Sequence, residues 1–133
     1  MRMITVPPLI AAVVLLLVRA VLAVAFFREF WVKAKDVPGF AKNDGLNVPA
    51  AWFVTVAELA AALSFTTGVL AQWAGTGVIL LMIITTSLHV FKWHSTYWAS
   101  SGGPEYDLLL LSLAAVVLAF GAGPIAVPTL FGY

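Results

Sequence analysis

Four side chains stand where apolar ones are the rule: Arg19, Glu58, His89 and Glu105 lie within, or at the edge of, long apolar runs. At the centre of a membrane helix each charge costs about 2.5–3.5 kcal/mol on insertion scales, so such a residue turns inward and finds a partner. Arg19 and Glu58 are the central pair. With the first helix leaving the membrane near Phe30 and the second entering near Pro49, both lie about 15 Å deep. Equal depth on adjacent helices predicts that they pair, or share a water or a ligand. The small residues Ala57, Ala61, Ala62 and Ser64 around Glu58 mark a helix interface, not a lipid face. The alternative is a structural ion pair that fixes helix register.

"SLHVFKWHSTYW", residues 87–98, holds both histidines. His89 sits about 8 Å inside the third helix. Thr85, Thr86, Lys92 and Trp93 stand at i−4, i−3, i+3 and i+4 and share its side. His94, five positions on, points elsewhere and joins Ser95, Tyr97 and Trp98 in an interfacial belt. Glu105 and Asp107 open the last helix at the same membrane side, where their charge also complements the helix dipole. Arg19, Glu58, His89 and Glu105 thus fall in one half of the membrane. The expectation is a polar, ligand-binding cavity entered from one side, with Lys33, Lys92 and Trp93 at its entrance.

Several chemistries are excluded. A diiron four-helix site needs two Glu-x-x-His motifs, and the chain has none. A zinc site needs more ligands than one inward histidine, and there is no cysteine, so no metal site is expected. Haem between two histidines of this chain is disfavoured by the place of His94, which leaves a haem shared with a partner subunit as the remaining haem alternative. There is no serine–histidine–acid set, phosphate loop or dinucleotide fingerprint. A quinone, or another lipid with a polar head, suits polar residues in an apolar bundle. Its carbonyls would accept bonds from Arg19 or His89, and its tail would lie among Phe26, Phe27 and Phe53.

The elements that must position these residues follow from composition. The chain has 133 residues, 62% hydrophobic and 10% charged, with mean hydropathy +1.03. Soluble domains carry about 25% charged residues. A net charge of +1 offers no basic face for nucleic acid. Four apolar runs predict an all-α, polytopic membrane protein, a four-transmembrane-helix bundle forming one domain over 1–133. Its helices are expected near 6–30, 48–73, 75–94 and 105–123, each long enough for a hydrocarbon core. A cleaved signal peptide is the rival for the first run, with Arg2 and "AVA" at 23–25, but the run is long for one. Residues 28–47, "REFWVKAKDVPGFAKNDGLN", are read as the one substantial loop, resting among headgroups or in solvent. Arg28, Lys33, Lys35, Lys42 and Lys92 on one side against Arg2 on the other place loops 1 and 3 in the cytoplasm and both termini outside, in a bacterial-type plasma membrane.

At these residues the chain resembles the DoxX family of small membrane proteins. The resemblance covers nearly the whole length. It rests on the four runs, Arg19, Lys33, "LNVPAAWFVTVAELAAALSFTTG" at 46–68, His89 and "GGPEY" at 102–106. It implies a four-helix bundle, an association with quinone-linked oxidoreductase complexes, and Arg19, Lys33, Glu58, His89 and Glu105 at recurrent polar positions. The chain departs from the pattern at Ala61, Ala62 and Phe30, where glycines are expected. The reading is of a quinone- or lipid-interacting subunit of a membrane oxidoreductase assembly, with membrane lipids and other subunits as partners and no intrinsic cofactor unless a quinone. The alternative is a non-catalytic accessory or scaffold subunit whose polar cluster is structural. A solute transporter is disfavoured by the one-sided cavity and the lack of paired half-helices.

Overall fold

The computed structural model describes residues 7–87, 90–91 and 104–126. Among these the chain is all-helical, with no strand: α1 Pro8–Ala34, α2 Val37–Asp44, α3 Val48–Thr67, α4 Ala71–Ser87 and α5 Pro104–Phe120. Local chemistry sets the ends. Prolines stand in the first turns of α1, α2 and α3, where a missing N–H costs nothing. Asp36 caps α2 by accepting from the Gly39 N–H at 3.0 Å, and Asn47 caps α3 by accepting from the Ala50 N–H at 2.8 Å. Gly45 and Gly68 end α2 and α3 with φ of 71° and 82°, a left-handed geometry that favours glycine.

The segment expected as a loop at 28–47 is mostly helix. α1 does not end near Phe30 but runs on to Ala34, and α2 follows after two residues. The polar face of that stretch disguised it. Glu29 and Lys33 lie one turn apart and support the helix, while Val37 and Ala41 bury one face of α2 against Ala51. α3 also stops earlier than expected, because Gly68 turns the chain out of the helix before Leu70 leads into α4.

α1 packs mainly on α3, and α4 on α5; α3 meets α4 and α1 meets α5 to close a ring, with α2 laid against α3. Leu22, Phe26, Ala62, Phe65, Ala114 and Val117 fill the middle of the ring. Gly75 allows a close approach of α4 to α5, since a Cβ there would lie 3.0 Å from the Ala114 carbonyl.

Polarity is distributed inside out. Arg19, Glu58 and Asp107 are 1%, 4% and 6% exposed, whereas Leu9, Phe53, Trp73 and Phe120 are all above 70%. Two helices, Pro8–Ala34 and Val48–Thr67, are long and apolar enough to cross a membrane; α4 and α5 are apolar and shorter. At 27 residues α1 measures about 40 Å, longer than a hydrocarbon core of about 30 Å.

Candidate functional site

Arg19 and Glu58 do not meet. The guanidinium of Arg19 donates to backbone carbonyls at two helix ends: Phe65 at 3.0 Å and Thr66 at 3.3 Å in the last turn of α3, and Ala122 at 3.0 Å and Ile125 at 2.6 Å beyond α5. The predicted pairing fails on register. Because α1 continues to Ala34, Arg19 is 15 residues from its end, while Glu58 is 10 residues from the start of α3. Arg19 therefore lies level with Phe65, about 10 Å along α3 from Glu58. At that level no carboxylate stands among the described residues, but there is the negative end of a helix dipole, which a buried cation complements. Gly68 leaves room for the guanidinium; a Cβ there would lie 3.0 Å from it and would collide with Ala126.

Glu58 pairs instead with Lys33. One carboxylate oxygen accepts from Nζ at 2.8 Å, and the same ammonium donates to Glu29, one turn back on α1, at 3.0 Å. The ring of Phe40, from α2, lies 5.2 Å from that ammonium and shields it. The side chains are graded in exposure: Glu58 4%, Lys33 15% and Glu29 36%. They form a chain of ionisable groups leading from the interior to the surface at the α2 end of the ring. The second oxygen of Glu58, Oε2, is buried and has no hydrogen-bond partner among the described residues. A carboxylate held by one donor can accept a second hydrogen bond from a polar head or take part in proton exchange.

Beside this chain a groove runs along α1 up to the start of α5. Ala20, Val21, Val24, Ala25, Arg28 and Tyr106 line an open groove of about 430 Å³. A smaller groove of about 240 Å³ lies on the α3 side of the same helix, between Leu16, Ala20, Ala23, Val24, Phe65 and Thr66. Tyr106 lies within electrostatic reach of Glu29, Arg28, Lys33 and Asp107, so the larger groove ends at the polar chain.

The expected site residues thus separate. Glu58 and Lys33 come together, so Lys33 is a partner of the buried carboxylate and not only an entrance residue. Arg19 stands apart from both. His89, Lys92 and Trp93 lie outside the described residues, as does His94, and the side chain of Glu105 does too. Glu29, Phe40, Arg28 and Tyr106 were missed. The i, i+4 spacing of Glu29 and Lys33 is a signal that the sequence does carry; the others depend on where α2 and α5 pack. Among the described residues there is no group of three or more His, Cys, Asp or Glu that could hold a metal ion. Compared with protein-family models, with curated proteins and with solved structures, the chain matches none.

Proposed function

We propose that α1, α3, α4 and α5 each cross a bilayer, and that this DoxX-like bundle is a quinone- or lipid-interacting subunit of a membrane oxidoreductase assembly. The inside-out polarity supports the membrane reading, because an exterior of Leu, Val, Phe and Trp suits lipid and not water. The observation that carries the functional reading is the Glu58–Lys33–Glu29 chain beside the α1–α5 groove. It sets a buried, half-bonded carboxylate and a groove for an apolar tail at the same end of the bundle. A head group that exchanges protons, as a quinone does, needs both.

The test is quinone and lipid content by mass spectrometry of the protein purified in mild detergent with its co-purifying chains. Wild type should carry quinone. Glu58→Gln should keep its helicity and its partners while quinone falls several-fold. Quinone absent from wild type, or equal in both, overturns the quinone reading. The scaffold reading has one observation in its favour: Arg19 holds four backbone carbonyls of two segments together, as a structural clasp does.

A further inference from the structure

We infer that the groove between α1 and α5 holds one acyl chain of an acidic phospholipid, with its phosphate on Arg28 and Tyr106. The inference rests on the lipid alternative of the proposed function and deepens it: an acyl chain, and not a quinone tail, occupies this groove, and the lipid class and the residues that select it are named. The groove is apolar along Ala20, Val21, Val24 and Ala25, and its polar groups, Arg28 and Tyr106, are the ones that can serve a head group. From Arg28 to Ala20 is eight residues, about 12 Å of helix, running from near the polar end of α1 towards the membrane middle. At about 430 Å³ the groove suits a single chain. A further helix, about 10 Å across with its side chains, is too wide for it.

Charge selects the head. Glu29, the neighbour of Arg28 in sequence, turns to Lys33 at 3.0 Å. Among the described residues no carboxylate lies within ion-pair distance of the Arg28 guanidinium. An exposed guanidinium left with its charge, at interfacial depth beside a phenolic O–H, matches a phosphate, which arginine grips with two parallel hydrogen bonds.

The experiment is native mass spectrometry of the full chain in mild detergent, incubated with phosphatidylglycerol or phosphatidylcholine of identical acyl chains. Wild type should retain phosphatidylglycerol several-fold more than phosphatidylcholine. Arg28→Gln should reduce phosphatidylglycerol to the phosphatidylcholine level, and Tyr106→Phe should do so in part. Val24→Trp, which fills the groove, should lower both lipids. Arg28 is exposed, so its replacement leaves the helices intact, and circular dichroism checks this. Equal retention of the two lipids by wild type, or preference unchanged in Arg28→Gln, overturns the inference while leaving a lipid-binding bundle. No lipid retained by folded wild type overturns it together with the lipid part of the proposed function.

Discussion

Arg19 and Glu58 are both buried charges, yet they solve the cost of burial differently. Arg19 places its donors on carbonyls of the last turn of α3 and of the segment after α5, so its removal strands several acceptors at once. Arg19→Met should therefore destabilise the protein by about 3 kcal/mol or more, and Arg19→Lys should recover only part, since one ammonium cannot span both ends. Glu58 depends on Lys33. Glu58→Gln and Lys33→Met should couple by about 1–3 kcal/mol in a double-mutant cycle, whereas Arg19→Met and Glu58→Gln should add, because about 10 Å of helix separates them. Unfolding in detergent read by circular dichroism measures both cycles. Coupling between Arg19 and Glu58 with none between Lys33 and Glu58 would reverse the assignment. That both charges face inward was legible from their apolar surroundings. Their partners were not, because depth counted from an assumed helix end carries the error of that end, and α1 runs four residues past Phe30.

At the scale of elements, the first turn of α2 and the α4–α5 contact each depend on one small residue. A Cβ on Gly39 would collide with the carboxylate of Asp36 that caps α2. Gly39→Ala should displace that cap and cost about 1 kcal/mol, close to the loss in Asp36→Ala, and the two changes together should cost little more than either. Phe40 rides on the same helix, so both variants should also loosen the cover over Lys33. Gly75→Val should be worse, at about 2–3 kcal/mol, because its neighbour is the backbone carbonyl of Ala114, which cannot rotate away. A melting series of these variants checks the order. The long apolar helices were legible from composition and proline placement. α2 was not, because eight residues with a polar outer face resemble a loop until Val37 and Ala41 are seen against Ala51. Its signals were nonetheless present: Asp36 before "VPG" as a start and Gly45 as a stop.

Across the whole molecule three charged side chains, Arg19, Glu58 and Asp107, are buried while Leu, Val, Phe and Trp cover much of the exterior, and the proposed bilayer placement rests on that exterior. The ring order of α1, α3, α4 and α5 puts the α2 segment at one end and the Gly68–Leu70 turn at the other. If all four helices cross, these two segments face opposite sides of the membrane, with α2 and the nearby Lys33, Lys35 and Lys42 in the cytoplasm. The chain has no cysteine, so a single introduced thiol reports alone. Asn43 on α2 and Val69 in the turn are both exposed, and neither is part of the polar chain. The decisive measurement is labelling of Asn43→Cys and Val69→Cys by a membrane-impermeant thiol reagent in intact cells and after permeabilisation. Val69→Cys should label in intact cells and Asn43→Cys only after permeabilisation, both in the membrane fraction. Labelling of both from the same side, or recovery of the protein in the soluble fraction, would contradict a bundle that spans the bilayer.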